Sequence, residues 1–501
     1  MKKSCYLRFI SLFLVIGMLG SALLACADDT QSEQSPDPSD SSLTPSTDTT
    51  QEEQGEQQIL PDVEAMDYDY TLNVLHWTVD GNHEFYNLWN EICPDENTNG
   101  ITGDIIADDI YDRTGWINEN YGITLTCQYQ SHMTIPTVVA NLIKSGSDEY
   151  QVMVEFGFNA QRTMGRNYYT DLTTLANVDP SKPWWVKESF EELAIGEFVE
   201  FAASDLLILD KGATSTLFYN IPMADDLGLD NLYELVEDGL WTFEEMIACA
   251  ENAYADNGND TRDGGDVYGF AGSGDIPVLT LYIGSGMKLL DRDEDGEYYY
   301  QYGSDEQSLE IMTTILEDLM YQDFYWNDTL ENSDTHPSFP NGGALFNLAT
   351  ARACSIYRNM EDAYGILPVP KYDEYQDKYY SQVNTYHDSM LAVFNTVESP
   401  EKVGAALELL SYYSYYNIYP DFYDVVIQGR GTRDEESRRM LDLIFSNRSY
   451  DLGLVYDPLG FSDTVLRYTA TGSSNLTSFI ESWEDRLSNA AKTLNELAQS
   501  Y

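Results

Sequence analysis

GDIIADDIYDRTGWINENYGITLTCQY spans Gly103–Tyr129, and it changes character in the middle. Ile105, Ile106, Ile110 and Ile117 recur at helical spacing until Gly122, a residue suited to the left-handed turn that closes a helix. ITLTCQY follows at once and reads as a strand. Upstream, YTLNVLHW (Tyr70–Trp77) puts Leu72, Val74 and His76 on one face of another strand. Downstream, IPTVVANLIKSG (Ile135–Gly146) reads as a helix with a terminal glycine, and YQVMVEF (Tyr150–Phe156) as a third strand. Strand, helix, strand, helix, strand means an α/β unit with a parallel sheet. Ligands of such sheets lie beyond the carboxyl ends of the strands. The loops of interest therefore begin at Trp77 and at Glu155–Phe156.

The middle of the chain is richer in helix. LWTFEEMIACAENAY (Leu240–Tyr254) opens with a capping box, Thr242 and Glu245, which makes Trp241 a structural staple. GALFNLATARACSIY (Gly343–Tyr357) and AYGILPVPKYDE (Ala363–Glu374) return to strands or short turns. DSMLAVF (Asp388–Phe394) is a strand, and SPEKVGAALELLSYYSYY (Ser399–Tyr416) a helix. In the tail, Phe479, Trp483, Leu487 and Leu494 fall near one face of an amphipathic helix.

LLACADDTQSEQSPDPSDSS (Leu23–Ser42) marks the other boundary. Lys2 and Lys3 precede an apolar run, Phe9–Leu24, with the layout of a secretion signal over residues 1–25. Leu23-Leu24-Ala25-Cys26 resembles a bacterial lipobox, in which the peptide is cut before a cysteine that then carries lipid. The plainer reading is an ordinary secretion signal with an incidental cysteine. Residues 26–66 are polar and acidic, too poor in apolar surface to fold. As a flexible tether they span on the order of 35 Å.

The body, residues 67–501, is long enough for two or three domains. A net charge of −59, from 85 acidic against 26 basic residues, excludes nucleic acid as a partner, because phosphates need Lys and Arg. It also argues against direct adhesion to anionic lipid. Cys93, Cys127, Cys249 and Cys354 fit no zinc spacing and leave room for one disulfide. Trp184 and Trp185, in KPWW, are expected to pack at the surface of a lobe.

Several stretches, in order along the body, resemble the extracellular solute-binding lipoproteins of ABC-type sugar importers, the class related to maltose-binding protein. They are DIIADDIYDRTGWINENYGITL, LANVDPSKPWWVKESFEELAIG, FYNIPMADDLGLDNLYELVEDGLWTFEEM, DVYGF, AYGILPVPKYDE and TRDEESRRMLDLIF. The resemblance implies a two-lobe periplasmic-binding-protein-like fold of type II, with a hinge and a ligand cleft between the lobes. One lobe would hold about 67–212 and 366–425, the other about 213–365 and 426–501, with crossings near Leu206–Tyr219 and Tyr364–Lys371. It implies capture of a carbohydrate, delivery to permease subunits, a monomer on the extracellular face of the membrane, and contact with that membrane through the lipid anchor alone. It points at Trp77 and Asp80 after the first strand, Glu155 and Phe156 after the third, Tyr357 and Arg358, and Tyr386, His387 and Asp388 as ligand contacts. Peptides remain a second ligand class, and a surface glycan-binding or sensing role a second function.

Many relatives carry a calcium loop before a Tyr-Gly pair. Here the place reads DNGNDTRDGGDVYG, with Asp256, Asp260, Asp263 and Asp266 as hard oxygen ligands. The spacing is irregular and a bidentate Glu is missing, so a structural Ca2+ and a solvated turn both stay open; no other cofactor is expected. DRDEDGEYY (Asp291–Tyr299) reads as a hairpin turn. The sequence holds no Gly-x-Ser-x-Gly elbow, His-Glu-x-x-His pair, phosphate loop or dinucleotide fingerprint. The expectation is a binding protein without chemistry of its own. Eighty-five acidic residues leave a glycosidase-type carboxylate pair as the enzymatic alternative.

Overall fold

The computed structural model describes residues 59–80, 90–94, 102–274, 276–327, 339–357, 359–427, 435–460, 464 and 475–501. The signal segment, Cys26, the tether up to residue 58 and Arg358 lie outside the described residues. Among the described residues no helix is long and apolar enough to cross a membrane.

The first sheet is built by the stretches that alternate at the sequence level. β1 (Tyr70–Thr78) is flanked in parallel by β2 (Ile123–Ser131) and β3 (Val152–Glu155). Val74 pairs with Cys127 on one side and Val152 on the other. The helix Ile105–Tyr121 begins where the Asp104 carboxylate accepts the Ala107 N–H, and it ends at Gly122 with φ 62°. Its inward stripe is Ile106, Ile110, Arg113 and Ile117; Ile105 is 47 % exposed. The isoleucine spacing therefore misplaced one residue. Arg113 can be buried because its terminal nitrogens donate to the carbonyls of Glu91 (2.5 Å), Ile92 (3.0 Å) and Leu206 (3.4 Å) and to Ser414 Oγ (2.8 Å), and a buried charge is tolerated only when it is hydrogen-bonded or paired.

A second sheet follows. Its strands are β4 (Ser215–Asn220) and β5 (Tyr268–Gly272), then, after the hairpin of β6 (Leu290–Arg292) and β7 (Tyr298–Tyr300), β8 (Tyr325–Asn327), β9 (Ala344–Thr350) and β10 (Tyr364–Leu367). The order is β10-β4-β9-β5-β8, with β4 antiparallel to both neighbours and β5 parallel to both of its own. The β6–β7 turn is the expected hairpin, with Gly296 at φ 82°. β11 (Ser381–Gln382) leads to β12 (Met390–Val393), which returns to the first sheet, antiparallel to β3. β13 (Arg448–Ser449) pairs with β11.

Two lobes result, each with its own sheet. The chain leaves the first sheet after Ala202, which bridges Leu391, and enters the second at Ser215. It comes back through residues 368–389. The helix Pro400–Tyr413 lies against β1 and the helix Glu435–Ser446 against β10, so the chain changes lobe a third time between them. The closing helix Glu484–Ala498 packs on β7, and the last residue, Tyr501, bonds Glu200 Oε1 at 2.9 Å.

Trp184 and Trp185 are not surface residues. They are 0 % and 3 % exposed, and both indole N–H groups donate to one oxygen, Glu408 Oε2, at 2.9 and 2.7 Å. A single carboxylate oxygen satisfies two indoles, which removes the reason for either to reach water. Trp241 is the staple the sequence implies: fully buried, it donates to Pro368 O at 3.1 Å, and Thr242 caps the helix Phe243–Ala253. The four described cysteines are free thiols.

Candidate ligand-binding site

The carboxyl ends of β1 and β3 meet the returning segment 383–389. Asn384 N donates to Ala213 O, on the first connection, at 2.9 Å. Phe158 N donates to Thr385 O at 2.9 Å, and Gly157 N to Asp388 Oδ1 at 2.7 Å. A Cβ at Gly157 would come within 3.0 Å of Thr385 and Asp388, so glycine is what allows this approach. Both connections between the lobes and the end of β3 thus converge on a few residues.

Most of the residues singled out from the sequence are brought together here, in two layers. Trp77 (1 % exposed) and Phe156 (6 %) form the lower one, ring centres 4.5 Å apart. Phe158 and Tyr386 form the upper one; their rings stack with centres 4.5 Å apart and planes 23° from parallel. Both are only half-buried, so this pair carries the aromatic surface. His132 stands edge-on to Phe156 at 6.0 Å. Asp80 lies at the rim, its Oδ2 accepting from Ser131 Oγ at 2.8 Å. Tyr357 is elsewhere: it is buried in the second lobe, donates to Asn347 Oδ1 at 2.6 Å and packs against Phe218 and Tyr364.

Two carboxyl groups are sealed beside the aromatics. Glu155 (1 % exposed) accepts from Asn159 Nδ2 at 2.7 Å and Phe156 N at 3.2 Å. Burial nevertheless pushes its pKa up to about 8, because these two donors return less than the lost hydration. Asp388 (1 % exposed) is raised for the same reason, against the opposing pull of the Gly157 N–H. His387 is held down at about 4, first by burial and then by the neighbouring Arg352. At neutral pH the junction thus presents a neutral imidazole and flat aromatic faces over a buried, protonated carboxyl. Such groups match hydroxyl-rich neutral ligands.

Phe158, Asn159, His132 and Arg352 were not singled out from the sequence. Phe158 and Asn159 follow Phe156 directly, on the short helix Gly157–Ala160, so extending the loop of interest by one turn would have included them. Arg352 carries no local signal: it reaches the junction because Ala351 N and Arg352 N bond Thr214 O and Gly212 O on the first connection, just ahead of β4.

Of the four aspartates before Tyr268, three accept amides of their own loop, and Asp256 and Asp260 are exposed. Asp256 Oδ1 accepts from Gly258 N, Asp263 Oδ1 from Gly265 N, and Asp266 from Asn257 N and Asp263 N. Asp260 sits at φ 57°. A calcium shell needs 6–8 converging oxygens, and in this arrangement one oxygen each of Asp256 and Asp263 and both of Asp266 accept amides of the loop. Among the described residues no three acidic, His or Cys side chains are grouped to hold a metal ion.

No family model matches the sequence, and no curated protein matches it. Solved structures do resemble the fold. A sugar transporter from Rhizobium etli in an open conformation is 14 % identical, with a TM-score of 0.54 over 86 % of this chain and 99 % of that one. The GacH receptor of Streptomyces glaucescens, solved unliganded and with acarbose, is 10 % identical, with a TM-score of 0.51 over 86 % and 99 %. An ABC substrate-binding protein from Listeria monocytogenes in complex with cycloalternan is 11 % identical, with a TM-score of 0.50 over 85 % and 98 %. The chain has the α/β fold of the ABC-type solute-binding proteins.

Proposed function

We propose that this chain captures a sugar or short oligosaccharide between its lobes and hands it to the permease of an ABC-type importer. The observation that carries the reading is the half-buried Phe158–Tyr386 stack at the junction of the two lobes, beside a carboxyl kept protonated near neutral pH. Sugar rings stack on aromatic faces, and their hydroxyls pair with uncharged polar groups. The structures similar in fold are described as a sugar transporter, an acarbose-bound receptor and a cycloalternan-bound protein, which agrees with that choice. Phe158, Tyr386, His387 and Asp80 are the contacts of this proposal; Trp77, Phe156, Glu155 and Asp388 support them from below.

The mechanism is a population shift. The lobes move as hinged bodies about the connecting segments, and the ligand favours the closed state by its differential affinity for it. The reading includes no bond-making step and no metal, the aspartate loop serving as a turn. Cys26 carries the lipid, the acidic run behind it is the tether, and the body works as a monomer at the extracellular face of the membrane. Substituting Cys26→Ala then releases the chain into the medium, which fractionation of a bacterial host reads directly.

The test of binding is a thermal-shift screen of neutral sugars and short peptides, with and without chelator, followed by recovery of the ligand. One sugar that raises Tm and is recovered intact supports the proposal. Phe158→Ala should weaken that sugar by roughly tenfold, the worth of an aromatic contact. A response to peptides alone, or sugar recovered cleaved, overturns it.

A further inference from the structure

A cavity of about 460 Å3 lies between the helix Leu232–Glu237, the segment 371–379 and the helix Glu435–Ser446. Its charge is out of keeping with the chain. Where acidic residues outnumber basic ones 85 to 26, this cavity is lined by Lys371, Lys378 and Arg439 against Glu237 and Asp377.

Lys371 is 5 % exposed. Among the described residues no carboxylate lies within ion-pair distance of its Nζ. That ammonium donates to the carbonyls of Glu374 and Gln376 at the long distances of 3.4 and 3.3 Å, and lies 5.7 Å from the Tyr379 ring centre. Gly239, at φ 73°, lies against it: a Cβ there would stand 3.4 Å from Nζ, in contact with the ammonium. Arg439 bonds Glu237 Oε1 through Nε at 2.8 Å, and among the described residues neither terminal nitrogen of its fork has an acceptor, so both can serve another one. Val236, Met440 and Leu443 complete the walls.

A buried ammonium held by two long carbonyl contacts has lost hydration without a compensating charge. An oxyanion entering the cavity would supply that charge, and a guanidinium fork matches oxyanion geometry. We propose that this cavity is a second binding site, taking a small organic oxyanion whose head lies between Lys371 and Arg439 and whose carbon body lies against Val236, Met440 and Leu443. It is separate from the sugar site and does not depend on it.

The experiment is calorimetric titration of the full chain with phenyl phosphate, benzoate and, as a neutral control, phenol, at matched ionic strength. Binding of phenyl phosphate or benzoate, but not phenol, is expected, and which of the two binds identifies a phosphate or a carboxylate head. Arg439→Gln changes an exposed side chain and should leave the fold intact while weakening the anion roughly tenfold or more; Lys371→Met should do the same. Sugar binding should be unchanged in Arg439→Gln. No anion binding by the parent chain, or binding undiminished in Arg439→Gln, overturns the proposal. If the parent binds no anion and Lys371→Met only lowers Tm, Lys371 is a clip for the loop 372–378.

Discussion

Glu155 is where burial changes chemistry most directly. Its ordinary pKa is 4.5 and its folded value about 8, so the folded chain keeps a proton that the unfolded chain releases in between. The stability this contributes is fully present below pH 4.5 and is lost as pH rises through 8. Asp388, also raised, pushes in the same direction. The Tm of the parent should therefore fall more steeply from pH 5 to pH 8 than that of Glu155→Gln, which has no charge to bury. Parallel curves in differential scanning calorimetry would mean that water reaches the carboxyl. At this scale the sequence was a partial guide. Trp77, Glu155 and Phe156 were legible because strand ends can be read from periodicity. That Trp77 lies underneath and Phe158 above was not, because depth depends on what packs over a side chain.

Among the elements, the contact of β5 with the helix Phe243–Ala253 is the most sharply specified. A Cβ at Gly269 would stand 1.9 Å from Ala250 O, and backbone cannot move aside as a side-chain tip can. Gly269→Ala should cost about 1–3 kcal/mol through this overpacking, measured by urea unfolding. Thr242→Ala, which removes the cap of the same helix, should cost about 1 kcal/mol. Near-neutral values for Gly269→Ala would show that the helix shifts freely on the sheet. The helix and its cap were legible from local spacing. The close approach was not, since a glycine in DVYGF looks the same whether a helix covers it or water does.

Over the whole molecule, the segments between lobes meet in one buried ionic cluster. Lys211 Nζ bonds Asp205 Oδ1 at 2.5 Å, while Arg448 and Tyr450 both bond Asp210, Tyr450 at 2.8 Å. Asp205, Asp210 and Lys211 belong to the first connection; Arg448 is on β13, which pairs with β11 of the second. Breaking such a cluster from one side leaves an unpaired buried charge. Arg448→Met should lower stability by about 3–5 kcal/mol in chemical denaturation. A loss below about 1 kcal/mol, typical of exposed pairs, would mean that Asp210 is hydrated.

By itself the sequence determined what is local: the parallel β1–β3 unit, the helices with their caps, the β6–β7 hairpin and the polar run ahead of the body. Each follows from side-chain period, capping chemistry or composition within a few neighbouring residues. Only the tertiary structure decided the insertion of β12 beside β3, the burial of Arg113, Trp184 and Trp185, the meeting of Phe158 with Tyr386, and the ionic cluster between the lobes. Those features join residues more than 200 positions apart in several cases, such as Trp184 with Glu408 and Asp210 with Tyr450. Their free energy comes from desolvation and pairing, which exist only once the chain has closed on itself.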